Sequence, residues 1–375
     1  MGIRNLMTII KKYCPEEVYS RILDIKDIPK PHGMKINKVG IDTSLLLYKY
    51  RHASNKVSQN ENTTVKRDIH IVGFITRVIF YLKANTIPIF IFDGKPPAEK
   101  DNTLKERREH REKMEEQIMV LEDNISSFGE EEADKIKQAR SEIDSIKKNL
   151  VYVKKEHFEE IRTLLDLMGI KYFDPAKENL QGEAEHICST FQKRGFIDHV
   201  VTDDTDSFTF GATSVIRSCK KGKVQHIYLN DILKGLELNY EEFVDLCILC
   251  GCDYCNTIPK VGPVSSYNAI KKYKSIEKWL ESKPTIIKYD SPEYIYFREN
   301  YVKAREIFKK DYEHIPVSIF GDLQGSEILP NYLSEIKEGE LREFLKMKGW
   351  LDSSICKIIN KLKSSRSKID SLKIK

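Results

Sequence analysis

The chain has no run of about 18 uninterrupted apolar residues, the minimum for a helix that crosses a membrane. Its richest stretch, residues 72–92, is interrupted by Arg77, Lys83, Asn85 and Pro88. The amino terminus, Met-Gly-Ile-Arg-Asn-Leu, lacks a secretory apolar core. Leu6 stands where a myristoylation signal needs Ser or Thr. A soluble, intracellular protein is therefore expected. Cysteine is too thin for a disulfide scaffold: there are eight in 375 residues, whereas bridged frameworks belong to short secreted domains. These thiols are expected to be reduced. The nine histidines show no ligand-like pairing. Net charge is small too, +5 from 62 basic and 57 acidic residues, so affinity for a polyanion must be sought in the distribution of charge rather than its sum.

What is present is a chain long enough for one large α/β domain or two smaller ones, with 40% hydrophobic residues for a core and 32% charged residues for a solvated surface. Ile3, Leu6, Met7 and Ile10 have helical spacing. Three short apolar runs then each finish on an acid, at 38–42, 86–93 and 199–204. Such runs, separated by helical patterns, predict buried parallel strands. The expected fold class is α/β, a central and mostly parallel sheet flanked by helices. Ligand sites in open sheets of this kind lie beyond the carboxyl ends of the strands, so the three acids should converge in one crevice.

Residues 95–155 are dominated by charge and predict one or two long exposed helices, broken near 126–129, with no heptad regular enough for a coiled coil. On composition alone this is a solvated insertion laced by i,i+4 pairs. Helices are predicted over 156–168, 241–250 and 265–273, a short strand over 170–174, and a turn-rich stretch over 251–263. Beyond residue 326 the apolar pattern weakens, and 356–375 carries seven Lys or Arg against one Asp. Cys247, Cys250, Cys252 and Cys255 read C-x-x-C-x-C-x-x-C. The first two share the apolar face of a predicted helix, where free cysteine packs as a small hydrophobe. No zinc or iron–sulfur site is expected there.

A second group of acids decides the chemistry. Glu183 and Glu185 open an apparent helix, Asp204 and Asp206 follow the third apolar run, and Asp253 lies where a helix yields to a turn. Each has an ordinary explanation when taken alone. Asp42 and Asp93 could cap the helices that follow, Glu183 and Glu185 suit a helix amino terminus, and Asp204 and Asp206 could be loop acids. Together the seven would repel one another unless cations neutralise them. Hard oxygen ligands without histidine suit Mg²⁺ or Mn²⁺ better than zinc. Two such ions about 4 Å apart promote phosphodiester hydrolysis.

The motifs around these acids, Ile91-Phe-Asp-Gly-Lys-Pro-Pro97, Gly182-Glu-Ala-Glu185, Asp204-Thr-Asp206 with Phe208-Thr-Phe-Gly211 behind it, and Phe243-Val-Asp-Leu-Cys-Ile-Leu-Cys-Gly-Cys-Asp-Tyr-Cys255, resemble the signatures of the flap endonuclease family. The opening Met-Gly-Ile and Val39-Gly-Ile-Asp42 match as well, in register from residue 1 to about 285. A viral or divergent eukaryotic member of these structure-specific 5′ nucleases is indicated. The resemblance implies a PIN-like nuclease domain over 1–325, a helical gateway and cap over 98–155, a helix–two-turn–helix that grips duplex DNA over 241–285, and a C-terminal extension with a basic tail over 326–375.

It further implies that Asp42, Asp93, Glu183, Glu185, Asp204, Asp206 and Asp253 hold two Mg²⁺ ions, replaceable by Mn²⁺, with Asp93 and Glu183 central to catalysis. Lys100 and Arg107 would reach the scissile phosphate. Tyr48 would stack on an unpaired terminal base, and Gly2 would pack beside the active site. Lys260 and Gly262 fall in the turn that meets duplex phosphates and usually holds K⁺. Lys260 replaces that turn's first glycine, a departure that bears on the K⁺ site. The implied activity is a 5′-flap endonuclease with 5′→3′ exonuclease action, working as a monomer on flapped, nicked or gapped DNA in replication, repair or recombination. A sister exonuclease, bubble or junction nuclease would share the same acids. The long insertion of a bubble nuclease is absent, and a threading cap suits flaps. A silent DNA-binding scaffold would not need all seven acids. No glutamine begins a sliding-clamp motif near the C-terminus, so recruitment by a clamp is unsupported. The implied compartment is the nucleus or a cytoplasmic viral replication site.

Overall fold

The computed structural model describes residues 2–31, 34–57, 68–129, 132–220, 222–314 and 332–373. Its seven strands form one sheet in the order β1-β7-β6-β5-β2-β3-β4. These are β1 (Ile22–Asp24), β2 (Asn37–Asp42), β3 (Thr86–Ile91), β4 (Tyr172–Phe173), β5 (His199–Val201), β6 (Ser214–Lys220) and β7 (Lys223–Tyr228). The centre is parallel: β2 pairs with β3 and β5, β3 with β4, and β5 with β6. All of β3 is buried, as its unbroken apolar run requires. Pro88 is tolerated within it because β4 reaches only as far as Phe90 and Ile91, so no ladder bond is lost on that side. One margin is antiparallel, where β7 pairs with both β6 and β1.

The helix Ile69–Lys83 buries Ile71, Phe74, Ile75, Val78 and Leu82 at helical spacing and packs on β3. Helix Ala184–Lys193 packs on β2, β3 and β5 through Ile187, Cys188 and Phe191. The charged segment forms two helices, Asp101–Ser127 and Ala133–Asn149. They hold a small core of their own around Ile118, Ile143 and Leu150, separate from the main one. That private core distinguishes the insertion from a merely solvated arm.

Helix Tyr240–Cys250 begins with a reciprocal cap, Asn239 accepting from the Glu242 N–H at 2.8 Å and Glu242 from the Asn239 N–H at 3.1 Å. The turn after it leads into helix Pro263–Tyr273. Lys260 adopts φ +68°, the left-handed conformation that the missing glycine would take freely. The lysine bears a strain of about 1 kcal/mol and keeps the turn's left-handed step.

The C-terminal region departs from a simple tail. Helix Asp352–Lys373 buries Ile355, Ile359, Leu362 and Ile369 and packs on Ile69–Lys83. Arg366 donates to the carbonyls of Met168, at 3.1 Å, and of Ser334. The basic residues thus ride on a docked helix whose apolar stripe belongs to the core. Leu362→Ala should cost about 2–4 kcal/mol, read as a lower urea midpoint at unchanged slope; an unchanged midpoint would mean the helix is not docked in solution. Among the described residues no helix is long and apolar enough to cross a membrane.

Candidate active site

Strand order brings the first acids together. Asp42 closes β2, Asp93 lies two residues beyond β3, and the 202–206 loop leaves β5. Since β5, β2 and β3 are parallel neighbours, all three ends meet on one edge of the sheet. Glu183 is the N-cap of helix Ala184–Lys193 and Glu185 lies in its first turn. Asp253 arrives from the turn that follows Tyr240–Cys250. A cleft of about 230 Å³ is lined by Asp42, Asp93, Glu183, Glu185, Asp204 and Asp253, with Tyr48, Lys100 and Arg107 also on its walls. Asp206 is buried beside it, close enough to feel the charges of Asp204, Asp253 and Glu183.

The capping and site roles of these acids coexist. Asp42 accepts the Leu45 N–H at 2.9 Å with one oxygen and the Thr202 hydroxyl at 3.1 Å with the other. Asp93 Oδ1 accepts the Ala184 N–H at 2.9 Å, and Asp204 Oδ1 accepts the Asp206 N–H at 3.1 Å. These bonds fix the side chains in the crowded crevice while capping the helices beside it.

Electrostatics follow from crowding. Burial, with Asp93 and Asp204 adding repulsion, pushes the Asp42 carboxyl up to about 7. Burial and neighbouring acids raise Glu185 and Asp206 well above the carboxylate range. Burial also lifts Glu183, against the opposing pull of Lys100. Asp253 goes the other way: burial would raise it, but Lys100 and Arg107 together hold it low. Lys100 contacts Glu183 directly and Asp253 at 3.0 Å. Arg107 grips both oxygens of Asp253, at 3.1 and 2.9 Å.

The two cations therefore sit on the acids themselves. Among the described residues no three acidic, histidine or cysteine groups are gathered at metal-binding distance, and Lys100 and Arg107 pair with Glu183 and Asp253 alone. The donor set nevertheless suits hard divalent ions. It is all oxygen, and Asp206 Oδ1 is buried without any hydrogen-bond donor, a position that a proton or a cation would relieve.

Gly2 takes φ +86°, and a Cβ built on it would lie 1.9 Å from Asp204 Oδ1 and 2.8 Å from Thr205 Oγ1. Gly2→Ala must displace Asp204 or the backbone at residue 2, and a shift of Asp204 by about 1 Å costs on the order of 100-fold in rate. Steady-state cleavage by folded variant checks this; activity within threefold of wild type would rule the contact out. Tyr48, on helix Thr43–Val57, is 37% exposed within the cleft wall. Lys260 and Gly262 belong to the turn before Pro263–Tyr273 and do not line the cleft.

Two further residues hold the site and carried no expectation from sequence. Tyr254 donates its hydroxyl to Glu183 Oε2, its ring lying edge-on to Phe308 at 5.2 Å. Thr202 donates to Asp42. Tyr254 adjoins Asp253 in the Cys-Asp-Tyr-Cys run, which was its one legible signal. Cys247, Cys250, Cys252 and Cys255 are free and buried. The Cys252 and Cys255 thiols face backbone carbonyls of Cys255 and Phe297, at 3.8 and 3.9 Å.

Comparison with known proteins agrees with this geometry. The XPG N-terminal domain matches residues 1–114 and the XPG I-region residues 178–253, and these spans contain all seven acids. Flap endonuclease 1 of Drosophila mojavensis is 37% identical over 315 residues, covering 82% of this chain and 73% of that protein. Flap endonuclease-1 from Methanococcus jannaschii shares the fold with a TM-score of 0.61 at 21% identity, over 98% of this chain and 99% of that one. Human GEN1 in complex with Holliday junction DNA shares it with a TM-score of 0.64 at 17% identity, over 98% and 79%. Matched along both signature regions and in fold, the chain is a nuclease that belongs to the flap endonuclease family.

Proposed function

We propose that the chain is a structure-specific 5′-flap endonuclease with 5′→3′ exonuclease activity, hydrolysing DNA where single and double strands meet and using two Mg²⁺ ions, with Mn²⁺ as a substitute. The observation that carries this reading is a crevice lined by six acids and only two cations, with a seventh acid, Asp206, buried beside it and its Oδ1 without a donor. When bound, two such ions lower the pKa of a water and neutralise the departing oxygen.

The protein's own groups supply the rest. Asp42, Asp93, Glu183, Glu185, Asp204, Asp206 and Asp253 serve as oxygen donors. Lys100 and Arg107 carry the charge needed to stabilise the phosphoryl group once the acids release them. Tyr48 offers an aromatic face to an unpaired base. A side chain at Gly262 would meet nothing within 4 Å, so its backbone is open to a duplex phosphate, and Lys260 adds charge beside it. Carbonyls of the same turn are the proposed K⁺ ligands. The nuclease domain spans 1–325. Within it the cap over 98–155 selects a free 5′ end by threading and 241–285 holds the duplex, while 326–375 is an extension whose helix Asp352–Lys373 packs on the core. The protein acts as a monomer wherever DNA is replicated, in the nucleus or at a cytoplasmic viral replication site, and no clamp is invoked.

The test is cleavage of labelled double-flap DNA in Mg²⁺ and in EDTA, beside Asp93→Ala. Flaps with a blocked 5′ end, nicked duplex, a bubble and a four-way junction complete the panel. Mg²⁺-dependent cutting at the flap base, lost in the variant and on blocking, is expected. Preference for the nick, bubble or junction would reassign the chain to a sister activity. Tight DNA binding without any cutting would leave a scaffold.

A further inference from the structure

The cleft that holds the acids is lined by two kinds of side chain. Some are charged. The apolar ones come from two places in the chain, Leu45 and Tyr48 of helix Thr43–Val57, and Val153 and Phe158. Phe158 lies at the start of helix Lys155–Leu167, where the chain leaves the cap insertion and returns to the core. A nucleotide is divided in the same way, with a charged phosphate and a base whose two faces are apolar. At about 230 Å³ the cleft is below the roughly 300–1,000 Å³ of drug-sized sites, which suits one ring system.

Phe158 is braced from behind. Its ring lies 6.3 Å from that of Phe92, the residue before Asp93. The Arg162 guanidinium lies 5.0 Å from the Phe92 ring and 5.9 Å from the Phe158 ring. Arg162 is itself fixed by Asp174 at 2.5 Å and Glu159 at 2.9 Å. A ring held this way offers a flat contact with little further loss of freedom on binding. Phe158 is half-buried, packed against the main core and also lining the cleft shared with Lys100, Arg107 and the acids.

We infer that Phe158 is the second wall of a subsite for one unpaired nucleobase, facing the base from the cap-return arm while Tyr48 faces it from the nuclease core. The inference rests on the nuclease reading above and extends it. The phosphate next to the captured base would be held against the acids. Because Phe158 enters the cleft on the arm that leaves the cap, base capture is completed only when that arm is in place.

The test is a cycle of protein and substrate changes. Wild type, Phe158→Ala and Phe158→Tyr are compared on a flap with all bases present and on flaps made abasic, in turn, at the nucleotide on either side of the cut. Contact of one base with an aromatic ring is worth roughly ten- to a hundredfold. Phe158→Ala should therefore lose about that much kcat/KM on the complete flap, mainly through KM, and Phe158→Tyr should recover to within about threefold. On one of the abasic flaps wild type should fall to the level of Phe158→Ala, and the variant should lose little more. An equal loss on complete and abasic flaps would overturn the subsite and leave Phe158 as packing. Should Phe158→Ala fold poorly by its melting temperature, Phe158→Leu and fluorescence of 2-aminopurine in the flap, measured in EDTA, replace it. Quenching by wild type but not by Phe158→Leu supports the subsite, and identical quenching overturns it. Absence of wild-type cutting on every flap would strike the nuclease reading, and the fluorescence comparison would then judge the subsite alone.

Discussion

Replacing Asp206 with Asn is expected to stabilise the metal-free protein while reducing cleavage by at least about 100-fold. Groups that merely orient metal ligands commonly cost 10–100-fold in affinity or activity when removed, so a direct oxygen donor should lie at or beyond the upper end. The gain in stability comes from the same carboxylate. Asp206 is buried, its Oδ1 has no donor, and Asp204, Asp253 and Glu183 all face it with like charge. Lys100 offsets this only in part. Asn keeps the shape and removes the uncompensated charge. In EDTA at pH 8 the variant should melt several degrees above wild type. A lower melting temperature would mean that the carboxylate has found a donor in solution.

The pH dependence has a definite sign. Asp42 titrates at about 7 in the folded protein against an ordinary 3.8, so the folded state holds this proton more tightly than the unfolded chain does. The stability it contributes is complete below about pH 4, declines across the interval, and is lost once the pH passes about 7. For this one carboxyl the interval is worth at most about 4 kcal/mol. Glu183, Glu185 and Asp206 are raised in the same direction. Metal-free wild type should therefore lose stability between pH 5 and pH 8, and Asp206→Asn should lose less. Mg²⁺ at pH 8 should restore wild type far more than the variant, because a ligand that binds only the folded state stabilises it in proportion to its affinity.

Much of this site was legible because interior parallel strands are nearly continuous apolar runs. The runs ending at Asp42, Asp93 and Asp204 became β2, β3 and β5 or their immediate continuations, and strand order did the rest. The break expected in the charged insertion fell where Asp101–Ser127 ends. The β6–β7 hairpin and β1 went unread. Ser214-Val-Ile-Arg-Ser-Cys-Lys220 mixes apolar and charged residues, as the antiparallel margin of a sheet allows, and β1 has only three residues. The stripe Ile355, Ile359, Leu362, Ile369 was diluted by serines and lysines, so a docked helix passed for a basic tail. Nothing in a linear sequence announces that Lys100 will contact Glu183, 83 positions away, or that Tyr254 will hold the other oxygen of that carboxylate. Such pairings depend on how loops approach one another, which periodicity does not encode.

Replacing Lys100 with Met should separate two properties that usually fall together, with metal binding tightened and cleavage collapsing. The Lys100 side chain is 13% exposed, and its ammonium contacts both Glu183 and Asp253. Burial alone would ease its proton off, but Glu183, Asp253 and Glu185 outweigh burial and keep it charged. A divalent ion entering the crevice must therefore displace a resident cation. Without it, Glu183 keeps only the Tyr254 hydroxyl and Asp253 only Arg107, and Mn²⁺ affinity measured by calorimetry should rise by up to about tenfold, or about 1.4 kcal/mol. Cleavage should fall by about 10²–10³, the usual loss when one group that stabilises developing charge is removed. Arg107→Met should raise affinity less, since its side chain is 37% exposed and holds Asp253 alone. In EDTA the Lys100 variant should melt below wild type, because Glu183 and Asp253 lose a partner, and Mn²⁺ should raise its melting temperature by more. Weaker Mn²⁺ binding in Lys100→Met would reverse the conclusion. Lys100 would then be the group that gathers the acids for the ions, and its contacts with Glu183 and Asp253 would be preparation for binding rather than competition with it.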